Sequence, residues 1–400
     1  MKKFFSLALC LAAVCSVSAQ KQNVDQAAKL SGKADKLAEA RELIKSAMEN
    51  PETKGDARTY FVAGKIELDA FDNAYKAQMI NPDNANTDEM GQELLNAYNY
   101  FLQALPLDSV PDAKGAIKPK FSKDIVNKLA GHHQDFGNAG VNFFNSKKFY
   151  PQAYEAFMIY SDMPSLPFMG KSAPAISQED IATFYFNAGL SAYSGNAVDK
   201  AAAAFKKARE AGYSAEEPYI YEIASWQNIA QTDESRTAEA KKNIFAAAKA
   251  GYDKFGMHNP LFMNNMINSM VSDGNTAEAI ALLTQEIAAH PDNAVLYGLR
   301  GYVNDRAGND DASEDDYRKA ASMPDVDFET LKNASKKIAR IGTMKWANIE
   351  GATEAQRNEI KTRYFDSAMK IADKAANINP NDDDLNYVIE NIQYALDTYF

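Results

Sequence analysis

The sequence predicts an all-α fold, a solenoid of antiparallel helical hairpins. Three observations predict it. A pattern of small and aromatic residues returns about every 34 residues, the signature of a stacked repeat. Apolar residues recur three and four apart, and alternating Val/Ile/Thr runs are missing. Breaks fall at Asn-Pro, Asp-Asn, Gly-Asn and Gly-Tyr dipeptides, which terminate helices.

The chain opens with a segment that is not part of this pattern. Lys2 and Lys3 precede a short apolar run, Phe4 to Cys15, and Val17-Ser18-Ala19 supplies compact side chains for cleavage. Residues 1–19 therefore read as a secretory signal peptide with cleavage before Gln20. The run is too short to span a membrane, and no later stretch is long and apolar enough. Both cysteines, Cys10 and Cys15, fall inside this signal. Lipidation at Cys15 is disfavoured, because Val14 is a poor residue immediately before a lipidated cysteine. The expected location is the periplasm or cell envelope.

After the signal, residues 20–55 read as an N-terminal helical hairpin with Ala40, Ile44 and Ala47 on its second helix. A repeat array is expected over residues 56–379. Its first unit sets Tyr60, Ala63 and Gly64 against Ala97, Phe101 and Ala104, with a long insertion turning at Asn81 to Asn86. Leu107 to Pro119 is the longest irregular connection, carrying Pro111, Gly115 and Pro119. Residues 122 to 145 read as one long first helix, from which Phe136, Ala139, Gly140 and Phe143 lead to Ala153, Phe157 and Tyr160.

The most regular unit runs from Ile181 to Tyr213. Tyr185, Ala188, Gly189 and Ala192 face Ala201, Phe205 and Ala208 across a Gly195-Asn196 turn, and Ser177 with Asp180 suits a helix start. Ala188 and Gly189 are small because the second helix crosses there. Tyr221, Ala224, Ser225 and Asn228 lead to Ala240, Ile244 and Ala247 with about three residues added in the turn. Met263, Met266 and Ile267 lead past Gly274-Asn275 to Ala279 and Leu283. Tyr297, Arg300 and Gly301 lead to Ser313, Tyr317 and Ala320, closed by Pro324.

Toward the end, residues 328 to 349 read as a long helix. Thr353 with Gln356 forms a capping box opening another, with Ala368, Ala372 and Ala375 before Pro380. Residues 380–400 are expected to form a capping helix, with Tyr387, Val388, Ile392, Ala395 and Leu396 on its apolar side.

Composition narrows the function. The formal charge is −11, and removal of Lys2 and Lys3 makes the mature chain two units more negative. Such a chain repels phosphate backbones, so nucleic acid is not an expected partner. A mature chain without cysteine has no disulfide, thiolate nucleophile or Cys-based metal site. His132 and His133 are adjacent, point about 100° apart on a helix and read as exposed surface rather than metal ligands. His258 and His290 suit helix ends. The acidic runs Asp310, Asp311, Glu314, Asp315, Asp316 and Asp382 to Asp384 lack the spacing of a calcium loop and read as solvated faces or helix starts. Met263, Met266 and Met270 read as core. No phosphate loop, dinucleotide fingerprint or nucleophile elbow is present. No enzyme activity, cofactor or metal is expected.

The hairpin residues resemble the tetratricopeptide repeat family: an aromatic, a small pair, an aromatic, then an alanine, an aromatic and a proline. The resemblance covers roughly residues 56 to 380, about seven repeats. It is tightest over Phe136 to Pro324, and Tyr, Phe or Met stands where the family has tryptophan. It implies a right-handed superhelix whose first helices line a concave groove. Carried onto this chain, the groove residues are Phe144, Phe186, Leu190, Tyr193, Trp226, Asn264, Asn268 and Tyr302. The aromatic and amide character suits a protein, a peptide or a sugar. A carboxylate clamp of the kind some family members use is not expected. Asn138, Asn187 and Asn265 are present, but Gln134 and Thr183 stand where basic residues are needed. The resemblance thus implies a non-catalytic protein–protein interaction scaffold, with possible peripheral envelope association. The alternative is a glycan- or peptide-capture module at the outer membrane.

Overall fold

A computed structural model of the chain describes residues 20–111 and 114–400. The signal peptide expected at residues 1–19, with Cys10 and Cys15, lies outside them. The described residues are helices and turns with no strand, and the chain divides after Ser235 into two compact units.

The first unit begins with α1 (20–30) and α2 (Leu37–Glu49), a short hairpin that buries Val24, Ala27, Ala40, Ile44 and Ala47. Two long helices follow, α3 (Ala57–Ile80) and α4 (Thr87–Asp108), joined by the turn at Asn81–Asn86. Then come α5 (Ser122–Gly131), α6 (His133–Ser146), α7 (Tyr150–Asp162), α8 (Gln178–Ser194), α9 (Val198–Glu210) and α10 (Glu217–Thr232). The crossings follow one rule. A Cβ on Gly64 would lie 2.5 Å from the Phe101 ring, one on Gly140 2.5 Å from Phe157, and one on Gly189 2.5 Å from Phe205. In each hairpin the small residue lets the partner helix approach until an aromatic ring rests on bare backbone. Those rings are fully buried, so each crossing removes a large apolar surface from water.

Polar links join successive hairpins. Asp162 on α7 accepts from the Tyr185 hydroxyl on α8 at 2.5 Å and from Lys207 on α9 at 2.8 Å. Arg209 on α9 pairs with the buried Glu222 on α10.

Three features of this unit differ from the sequence reading. The expected helix over 122 to 145 is broken at His132, whose φ of −100° and ψ of 10° leave the helical region. Helix α4 runs through Pro106 to Asp108, so the irregular segment starts at Ser109. A second irregular stretch, residues 163–177, separates α7 from α8 and buries Met163 and Met169. The first connection is held by Asp108, whose carboxylate accepts from the backbone N–H groups of Lys120, Phe121 and Ser122 and from the Ser122 hydroxyl. Burial pushes that carboxyl up, but the Ser122 hydroxyl and the three backbone donors outweigh it and hold it below the usual range.

The second unit contains α11 (Thr237–Phe255), α12 (Pro260–Ser272), α13 (Thr276–Ala289), α14 (Ala294–Arg306), α15 (Asp310–Ala321) and α16 (Phe328–Ala347). The repeat expected from Tyr221 to Ala247 straddles the division between units, and α11 packs on α12 with Gly251 against the Phe262 ring. Met263 and Met266 are core, as read, with Ile267, Ala279 and Leu283. Gly301 lies under Tyr317, while Arg300 and Asn304 both donate to Asp316.

The chain ends with α17 (Glu354–Ile360), a π-helical turn at Lys361–Asp366 and α18 (Ser367–Ile378), continuous with one another, then α19 (Asp383–Tyr399). The Thr353/Gln356 capping box is formed, and Asp382 caps α19. Helix α19 lays Leu385, Val388, Ile392 and Ala395 on α16 and α18. Tyr387 is the exception to the expected apolar side: it is 67% exposed and faces outward. The inward stripe starts at Leu385 and continues at spacings of three and four, which turns Tyr387 away.

Candidate functional site

Helices α6 and α8 enclose a small cleft of about 100 Å³ lined by Val141, Phe144, Asn145, Phe157, Asn187 and Leu190. Phe144 and Leu190, both expected groove residues, thus share one site. Phe144 is steadied by Tyr150, edge to face at 5.7 Å. Val141 opens onto a second cleft of about 360 Å³, walled by Phe71, Tyr75 and Gln78 of α3 and by Asn138 and Asn142 of α6. The two clefts share Val141 and adjoin there on the first unit. Tyr75 and Val141 of the second cleft are exposed large side chains. Among the described residues, the side-chain amides of Asn138, Asn142, Asn145 and Asn187 have no hydrogen-bond partner. They present donors and acceptors beside apolar surface, the pairing needed to hold a peptide main chain or a sugar.

The remaining expected residues divide. Tyr193 is exposed and meets Tyr221 edge to face at 5.8 Å. Phe186 is half-buried among Phe205, Tyr213 and Tyr221, with the Tyr213 ring 4.8 Å away, so it packs the hairpin rather than lining a cleft. Trp226 on α10 is half-buried. Asn264, Asn268 and Tyr302 lie in the second unit: Asn268 is exposed, Tyr302 packs against core side chains, and the Asn264 Oδ1 is buried without a partner. Tyr75, Val141, Asn142 and Asn145 were not singled out from sequence. Tyr75 and Val141 had one available signal, a large apolar side chain off the buried stripe of its helix.

The histidine pair corrects a sequence expectation. His133 is buried, 5% exposed, stacked on Tyr160 at 4.2 Å, with Nε2 donating to the Tyr160 carbonyl at 2.7 Å. Burial pushes its pKa down, against that hydrogen bond. His132 lies between Asp135 at 2.9 Å and Asp72 at 3.7 Å. The pair expected to be exposed is thus buried at His133 and half-buried at His132. The acidic run on α15 is likewise only partly solvated. Glu314 and Asp316 are buried against Arg318 and Arg300, while Asp310 pairs with Lys337. Among the described residues no three His, Cys, Asp or Glu side chains are gathered as a metal site, and no helix is long and apolar enough to cross a membrane.

No family model matches the chain, and no curated protein matches it in sequence. Two of the solved structures that the chain matches are tetratricopeptide repeat proteins. A repeat protein from Bacteroides fragilis is 15% identical, with 66% of this chain and 98% of that one covered at a TM-score of 0.31. Yeast Tom70 is 12% identical, with 94% and 88% covered at a TM-score of 0.32. The tetratricopeptide domain of P58(IPK) is 12% identical, with 94% and 98% covered at a TM-score of 0.28. The hairpin class itself rests on the chain's own crossings of glycine on aromatic.

Proposed function

We propose that this chain is a non-catalytic scaffold of the bacterial cell envelope that binds a segment of another protein along the α3–α6–α8 face. The observation that carries the reading is the shared cleft of Phe144 and Leu190, flanked by unpartnered amides and open to the cleft beneath Tyr75. An apolar side chain of the partner would fill the space between Phe144 and Leu190, and Asn145 and Asn187 would hold its main chain. The test is a photocrosslinking residue placed at Val141 or Leu190 in living cells, compared with one at the outward-facing Lys206. A discrete adduct at the cleft positions, absent at Lys206 and lost with Phe144→Ala, supports the reading. Equal adducts at all three positions refute it.

The envelope setting is part of the same proposal and rests on the residues before Gln20. Fractionation with N-terminal sequencing tests it, the expected product starting at Gln20. A cytoplasmic chain that retains Met1 would overturn it.

The amide-rich wall favours a second reading, capture of a glycan or peptide at the outer membrane. Neutral oligosaccharides that raise the melting temperature of the wild-type chain but not of Asn142→Ala/Asn145→Ala would move the weight there.

A further inference from the structure

We propose that the cleft closed by the Asn81–Asn86 turn is a binding site for an organic cation, an ammonium or guanidinium on a short apolar stem. The cleft holds about 650 Å³. It lies between α3 and the start of α4, and the α1–α2 turn contributes Ser31 and Ala34 to its wall, with Leu37 at the start of α2. The repeat pattern explains why space exists there. The two helices of this hairpin are 24 and 22 residues long, so they run on past the Gly64–Phe101 crossing. Ala70, Ala74 and Ala77 then line one wall, where larger side chains would close the gap. The site does not depend on the α6–α8 groove and shares only Gln78 and Met90 with the neighbouring cleft.

Charge selects the occupant. Arg41 on α2 faces two buried carboxylates, Glu67 on α3 and Glu93 on α4, each 6% exposed. Its guanidinium donates to both oxygens of Glu67, at 2.9 and 2.6 Å, and to Glu93 Oε1 at 2.9 Å. The remaining oxygen, Glu93 Oε2, is buried and has no donor. One cation therefore serves two anions, and the carboxylate left short lines the cleft. One turn earlier Glu89 adds another negative charge to the wall, its Oε2 engaged by Asn86 at 3.0 Å. Lys65, which reaches Ser31 at the edge of the cleft, is itself paired with Asp69 at 2.6 Å.

A buried carboxylate oxygen without a donor is costly, and a charged donor is the group that relieves it best. Burial also pushes the Glu93 carboxyl up, with Arg41 offsetting only part of that and Glu67 and Glu89 adding to it. A cation seated at Oε2 would favour the ionised form of Glu93, as Arg41 does from Oε1. The stem would lie along Ala70, Ala74, Ala77 and Met90. Two sources present this chemistry: a free alkylamine and the lysine or arginine side chain of a polypeptide.

The experiment is a calorimetric titration of residues 20–400 at pH 7.5. The probes are n-butylammonium, n-butylguanidinium, n-butanol, and capped Ala-Lys-Ala and Ala-norleucine-Ala peptides. Saturable binding of the cations, with the neutral isosteres about tenfold weaker or more, is expected. Glu93→Gln should lose that preference, and Ala74→Leu should abolish binding by filling the cleft with all charges kept. Leu190→Asp should bind like wild type, which separates this site from the groove. A lysyl peptide that binds about tenfold more tightly than butylammonium identifies a polypeptide side chain, and equal affinity identifies a free amine. Neutral isosteres binding as well as cations, full binding by Ala74→Leu, or no saturable cation binding overturns the proposal.

Discussion

A Cβ placed on Gly189 would lie 2.5 Å from two ring carbons of Phe205. The α8–α9 crossing is therefore closed by the absence of a side chain, and Phe205 is fully buried with nowhere to retreat. Gly189→Ala should destabilise the protein by about 1–3 kcal/mol through overpacking, in spite of alanine's better helix propensity. Gly131, at the end of α5, is the control: nothing lies within 4 Å of its Cβ position. Gly131→Ala should be neutral or gain up to about 1 kcal/mol. Urea unfolding of the two variants decides it, and equal effects would mean that the close approach is not what constrains Gly189.

That relationship also explains what the sequence made legible. A crossing demands a small residue opposite an aromatic, and in Gly140–Phe157, Gly189–Phe205 and Gly301–Tyr317 the two lie 16 or 17 residues apart, so these crossings are written in local composition. The insertion at Asn81–Asn86 was legible for the same reason, as a departure from that offset. The burial of His133, Glu314 and Asp316 was not, because it depends on partners from other helical segments: Tyr160, Arg363 and Arg300. Of the residues assigned to the groove, Phe144 and Leu190 line one cleft, whereas Phe186 is covered by Tyr213 and Tyr221. A helical position alone does not reveal whether the next hairpin brings an aromatic to cover it.

Arg209 and Glu222 form the buried ion pair between α9 and α10. Burial pushes the Glu222 carboxyl up and the arginine offsets it only in part. Arg209→Met should cost about 3–5 kcal/mol, because it leaves a buried carboxylate alone. The double variant Arg209→Met/Glu222→Leu should recover most of that loss, since an apolar pair of similar volume has no charge to desolvate. Thermal or urea unfolding of the cycle measures it. A double variant as unstable as the single would show that Arg209 contributes packing and not charge compensation.

Asp108 ties the end of α4 to the start of α5 through four hydrogen bonds. Its carboxyl is held below the usual range, so its contribution is present above the unfolded carboxylate value of about 3.9. It is lost as pH falls through the lower folded value. Asp108→Ala should destabilise by about 2–4 kcal/mol at pH 7, leaving several backbone N–H groups without an acceptor. Amide hydrogen exchange at Phe121 and Ser122 should accelerate in the variant. Unchanged exchange there would show that the connection is fixed by packing alone.

His133 and Glu93 impose opposite slopes on stability in acid. Burial lowers the His133 pKa, so the folded state binds protons less readily than the unfolded chain, whose histidine titrates near 6.5. Stability from the neutral ring is full above about pH 6.5 and declines as pH falls toward the folded value. Glu93 is raised, so its protonated form is favoured by folding. That contribution is full below the ordinary glutamate value of about 4.3 and is lost as pH rises through the folded value. The wild-type curve between these limits is therefore a difference of two terms, and single variants separate them. His133→Phe keeps the ring on Tyr160 and removes the titration, at a cost of about 1 kcal/mol for the hydrogen bond. Its stability should fall less than that of wild type as pH drops below about 6.5, and Glu93→Gln should lack the gain that wild type makes as pH falls from the raised folded Glu93 value toward about 4.3. Melting temperatures across pH 4–7 for the three proteins check both signs. Parallel curves would mean that neither group changes its proton affinity on folding.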